Sequence, residues 1–186
     1  MSMAVTLHHN DIPPDLEFRD SVAVDAEMLG LNPVRDRLCL VQLSSGDGSA
    51  HLVKFKKGMY DAPNLKKLLT AKDVTKIFHF ARADVASFHV YLNVLTAPVY
   101  CTKIASRLAR TLTQHHGLKN LCRDMLNIEL DKQQQVTDWG ADVLTPEQVA
   151  YAASDVFYLH QLRTMLDEML IRENRMDLAK ACFDFG

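Results

Sequence analysis

Asp25 and Glu27 stand two apart in the segment Ser21-Val-Ala-Val-Asp-Ala-Glu27. In an extended chain that spacing turns both carboxylates to one face of a strand. Their neighbours Val22, Ala23, Val24 and Ala26 are apolar, which points to burial. Two adjacent buried carboxylates repel and lose hydration, and a hard divalent cation offsets both penalties. The pattern is short and common, so an edge strand with hydrated acids explains it better when it is taken alone. Tyr151 and Asp155 stand four apart in a helical stretch and share one face of it. Asp84 follows an apolar segment at the start of a helix, where an acid ordinarily caps or meets the helix dipole. Each acid on its own thus has an ordinary structural account.

Carrying these residues falls to a sheet-first layout. Ser21 to Glu27 reads as a strand, Arg37 to Leu43 as a second and His51 to Lys54 as a third. The turns Gly30-Leu-Asn-Pro33 and Ser44 to Ser49 separate them, which makes an antiparallel meander. A helix over Asn64 to Leu69 follows, then a strand over Thr75 to Phe80, a helix over Ala83 to Leu92 and a short strand Val99 to Cys101. The rest is helical: Ile104 to Leu108, Leu118 to Leu126, one continuous stretch from Thr145 to Leu170, and Met176 to Ala181. Thr145-Pro-Glu-Gln148 carries a threonine cap, proline at the first helical position and glutamine three residues after the cap. The residues before Ser21 read as a polar, proline-containing start.

With 186 residues, 48% of them apolar, one domain over 1–186 has enough material for a single core. Apolar runs such as Leu38 to Leu43 are too short to span a bilayer, and the N-terminus lacks the pattern of an export signal. The expectation is a soluble, cytoplasmic protein. The cysteines Cys39, Cys101, Cys122 and Cys182 are scattered without a CxxC, and read as reduced thiols. The pairs His8-His9 and His115-His116 read as surface or loop histidines, because neighbours in sequence point apart. A formal net charge of −2 opposes a protein that grips long nucleic acid by neutralising many phosphates.

Taken in order, Asp-x-Glu on a first strand, Asp84 after a middle strand and Tyr-x-x-x-Asp on a late helix resemble the DEDDy exonuclease superfamily. A closer resemblance runs through NPVRDRLCLVQLSSGDGSA, KIFHFARAD, PVYCTKIASRLARTLTQHHGLKNL and KQQQVTDWGADVLTPEQVAYAASDVFYLHQLR, and it is to the nanoRNase C family. The resemblance implies an α/β, ribonuclease H-like fold: a mixed sheet with antiparallel first three strands, flanked by helices. It implies a cytoplasmic 3′-5′ exoribonuclease acting on very short RNA, including dinucleotides, and assembled as a homo-octameric ring. Asp25, Glu27, Asp84 and Asp155 match the positions that hold two divalent ions, Mg2+ or Mn2+, and Tyr151 matches the catalytic tyrosine. The chain departs from the family at Ala26 and Met28, where threonines are usual, and at Ala83, where an aromatic is usual.

For such a substrate, Met28 and Leu29 directly after the first acids offer an apolar wedge against a base. Phosphate or sugar contacts fall to His79, Phe80, Arg82, Lys103, Arg107, Lys119, Gln135 and Trp139, with Arg82 and Lys103 foremost because each follows a strand end near the acids. Two rivals stand beside this expectation: an RNase D-like enzyme trimming longer structured RNA, and a non-catalytic nucleic-acid-binding module of the same fold.

Overall fold

A computed structural model of the chain describes residues 3–131 and 133–185. Leu38–Ser44 is buried at every position and forms β3, the interior strand with both faces covered. On one side it pairs antiparallel with β2, Ser21–Met28, and on the other antiparallel with β4, Ser49–Lys54. These are the meander strands expected from sequence, with ends shifted by one or two residues. Helix α1, Pro63–Thr70, then leads to β5, Thr75–Phe78, which runs parallel to β2. Helix α2, Arg82–Leu92, crosses over to β6, Val99–Cys101, parallel to β5.

The sheet gains one strand that sequence patterning missed. Ala4–His9 forms β1 and pairs parallel with β4 at the sheet edge, giving the order β1-β4-β3-β2-β5-β6. Nearly all of its residues are exposed, so it has no inward apolar face to produce the alternation by which strands are recognised. His8 also departs from the surface reading: it is half-buried, and its Nε2 lies 2.9 Å from Nδ1 of His51 on β4.

After β6 come α3, Thr102–Ala109, and α4, Leu118–Leu126. The stretch expected as one helix from Thr145 is two, α5 over Pro146–Phe157 and α6 over Leu159–Arg172, separated at Tyr158. The break redirects the chain: α5 packs on β2, β3 and β4, whereas α6 packs on α3, α4 and β5. Helix α7, Met176–Phe185, ends the fold.

Strand parity divides the core. Val22, Val24 and Ala26 face a cluster with Phe78, Phe88 and Leu92, under α1 and α2. Ala23 faces the opposite cluster, with Ile77, Phe157 and Leu162. Asp25 and Glu27, in step with Ala23, are therefore turned toward the layer that contains α5.

Candidate active site

Three elements deliver the acids. Asp25 and Glu27 come from β2, where the register opposes Asp25 to Gln42 and Glu27 to Leu40 of β3. Directly after Glu27 the pairing shifts, and Met28 opposes Leu38. The residue passed over in that shift is Cys39 of β3, so β2 keeps its own alternation. Asp155 comes from α5, whose first turn is fixed by a complete capping box between Thr145 and Gln148. Asp84 comes from the first turn of α2.

Oxygen atoms of Asp25, Glu27 and Asp155 lie within 4.8 Å of one another. Asp84 stands outside that closest group, yet it acts on the same charges. The Asp25 carboxyl is pushed well above the ordinary carboxylate range, first by burial and then by Asp84, Asp155 and Glu27. Burial also pushes Asp84 well up, and Asp155 adds to it, while the backbone N–H groups of Asp84 and Ala26 pull it back. Acids that resist ionising together are donors that a divalent cation between them would stabilise. Hard oxygen donors at this spacing suit Mg2+ or Mn2+ rather than a soft metal.

Tyr151 lies one turn before Asp155 and is buried, at 7% exposure. Burial is the main cause that pushes its hydroxyl far above the usual tyrosine range, followed by the charges of Asp155, Glu27 and Asp25 and a hydrogen bond with Asp155. At neutral pH the hydroxyl therefore keeps its proton, as a hydrogen-bond donor facing the acids.

These side chains open into a cleft of about 310 Å3, lined by Asp25, Glu27, Tyr151 and Asp155 together with His79, Phe80, Lys103 and Gln135. Phe80 is 51% exposed on a backbone with φ of 68°, the left-handed region that a bulky residue rarely occupies. The Lys103 ammonium sits 3.9 Å above its ring centroid. The Thr102 hydroxyl donates to the Phe78 carbonyl and lies 2.9 Å from His79 Nδ1. With its proton committed, that hydroxyl only accepts, so Nδ1 is the protonated nitrogen of His79.

Other expected contacts fall elsewhere. Trp139 is 2% exposed and does not line the cleft; it packs against Tyr151, ring centroids 5.9 Å apart, because the loop before α5 folds back over the sheet. Met28 turns into the core beneath α1 and α2, following the parity of Val24 and Ala26. Leu29 is exposed beside Gly140, and Arg82, Arg107 and Lys119 are exposed outside the lining. One participant was not foreseen. Gln42, fully buried on β3, donates its amide to Asp25 at 3.3 Å and to Glu27 at 3.4 Å, while its Oε1 has no hydrogen-bond partner among the described residues. Its place opposite Asp25 follows from register, which the apolar run around it conceals.

The family model for 3'-5' exonuclease matches residues 9–171, and the chain belongs to that exonuclease family. Within it the chain is similar to NrnC of Brucella melitensis. NrnC bound to pGG gives a TM-score of 0.95 at 49% identity, covering 99% of this chain and 90% of that one. NrnC with bound Mg2+ gives 0.94 at 48% identity, covering 98% and 90%. Ribonuclease D of Gluconacetobacter diazotrophicus is 35% identical over 156 residues, 84% of this chain and 39% of its own length. The chain thus spans about two fifths of the curated ribonuclease D relatives it matches.

Proposed function

We propose that this chain, acting as one domain, is a cytoplasmic, metal-dependent 3′-5′ exoribonuclease that degrades very short RNA, including dinucleotides, to nucleoside 5′-monophosphates. The observation that carries the reading is the convergence of Asp25, Glu27 and Asp155 within 4.8 Å. Tyr151 and Asp84 act on the same group of charges. Asp25, Glu27, Asp84 and Asp155 would hold two divalent ions, Mg2+ or Mn2+. Bound there, the ions supply Lewis-acid stabilisation of the charge that builds on the phosphoryl oxygens.

The protein's own groups do the positioning. Tyr151, keeping its proton, orients the attacking water by hydrogen bonding. Lys103 offsets phosphate charge at the cleft, and the exposed ring of Phe80 beneath it holds that ammonium over the entrance. A cleft of about 310 Å3 suits a substrate of very few nucleotides. The likeness to an NrnC structure with bound pGG supports the same substrate class. We further propose a homo-oligomeric, octameric ring, supported by the resemblance to the nanoRNase C family and by strongly exposed Leu31, Leu112, Val136 and Phe185. Light scattering tests it, since a monomer contradicts it.

The decisive assay is Mg2+- or Mn2+-dependent cleavage of a labelled RNA dinucleotide, run beside a seven-residue RNA and a structured RNA. The dinucleotide is expected to turn over fastest. Asp155→Ala is expected to lower kcat/KM by about a thousandfold, and Tyr151→Phe to lower kcat by about a hundredfold. Faster turnover of the structured RNA would instead favour trimming of longer substrates. No turnover of any substrate would leave a binding module.

A further inference from the structure

A second cavity, of about 490 Å3, shares no residue with the cleft. His9, Arg37, Lys54, Lys56, Lys57 and Asp142 are among its lining. Four permanent cations thus face one carboxylate, and among the described residues none of the four joins an ion pair. Arg37 spends its donors on carbonyl oxygens of Leu38, Phe55 and Gly140, at 3.5, 3.3 and 3.2 Å, which fixes the guanidinium without neutralising it. Gly140 permits that approach, because a Cβ there would stand 3.1 Å from Arg37 Nη2 and 2.9 Å from Leu29.

Lys54 is the unusual member. It is 8% exposed, and among the described residues it has no hydrogen-bond or ion-pair partner for its ammonium. The ammonium is not sealed in the core, so it meets solvent through the cavity it lines. Its stem is nine-tenths covered while the ammonium opens into the cavity, so an apolar side chain of similar length can replace it without breaking a bond. In register Lys54 lies opposite Leu40, and Leu40 opposite Glu27, so Lys54 stands two strands from the acids on the same face, roughly 10 Å away.

We propose that this cavity binds the phosphate group of a nucleotide-sized ligand, with Lys54 as its inner cation and Arg37 and Lys56 at its rim. The volume exceeds what a bare phosphate ion fills and lies within the range of small-ligand sites. Two sources share this chemistry: a free nucleoside monophosphate, and a backbone phosphate of an RNA reaching past the cleft. The inference does not depend on the proposed hydrolysis.

Binding in EDTA separates the site from any metal-held phosphate. Isothermal titration with 5′-GMP, guanosine and inorganic phosphate, and with a labelled seven-residue RNA, is carried out on the whole chain and on Lys54→Met. The expected result is that guanosine does not bind and that Lys54→Met weakens a phosphate-bearing ligand at least tenfold. Weakening of GMP identifies the free nucleotide; weakening of the RNA alone identifies its backbone phosphate. Lys54→Met is expected to melt no lower than the unaltered chain, which separates ligand loss from misfolding. Unchanged affinity for both ligands, guanosine binding equal to GMP, a lowered melting temperature, or GMP affinity lost on Asp155→Ala each overturns the proposal.

Discussion

Gln42 places an amide between Asp25 and Glu27 from inside the run Leu-Cys-Leu-Val-Gln-Leu, where every neighbour is apolar. Its donation holds two repelling carboxylates at a fixed separation, the part played by groups that orient metal ligands. Gln42→Leu is expected to raise the Mg2+ concentration for half-maximal activity by about tenfold or more. Thermal stability should hold or rise, because the unpaired Oε1 is removed with the amide. A fall in kcat with unchanged metal dependence would deny it that positioning role. At this scale the sequence made Asp25, Glu27, Tyr151 and Asp155 legible, since two-residue and four-residue periods fix faces within one element. Gln42 and Trp139 were hidden, because what they touch depends on cross-strand register and on the path of a loop.

Elements were legible where an apolar pattern had to be satisfied. The three meander strands and the start of α5, with its capping box, matched because burial and local hydrogen bonding both demanded them. β1 lacked such a demand, and the turn at Tyr158 carries no proline or glycine to mark it. β1 is held by its backbone ladder to β4, to which the contact between His8 and His51 adds. Burial and then His9 hold His8 below the ordinary histidine value, while burial and then His8 hold His51 below it. In the unfolded chain these rings take up protons near pH 6.5, and in the folded chain only at lower pH. Between those values the unfolded state binds more protons, so their contribution to stability falls as pH drops below 6.5. Replacing His51 by Phe should make the decline in Tm between about pH 7 and about pH 5.5 shallower. An equally steep decline in the variant would remove the pair from the account.

On the scale of the whole molecule, the acids of β2, α2 and α5 meet only because sheet and helices close around them. No spacing within one element predicts that meeting; the order of the segments and their resemblance to a known family supplied it. The assembled site stores electrostatic repulsion, visible in the raised Asp25 and Asp84 carboxyls. A bound cation would relieve it, and only the folded state has the site. At a hundredfold excess over Kd, Mg2+ should add about 2.7 kcal/mol, raising Tm by roughly 5–10 °C for a chain of this size. Scanning calorimetry with and without EDTA measures this, and Asp155→Ala should shrink the shift. No helix among the described residues is long and apolar enough to cross a membrane.

Trp139 is the chain's single tryptophan, and its ring lies 5.9 Å from that of Tyr151. The molecule therefore carries its own optical reporter behind the acids, shielded from water and answering to any displacement of Tyr151. If ions load between the acids as proposed, ultraviolet excitation of the unlabelled protein should report that loading as a change in the emission of this one residue.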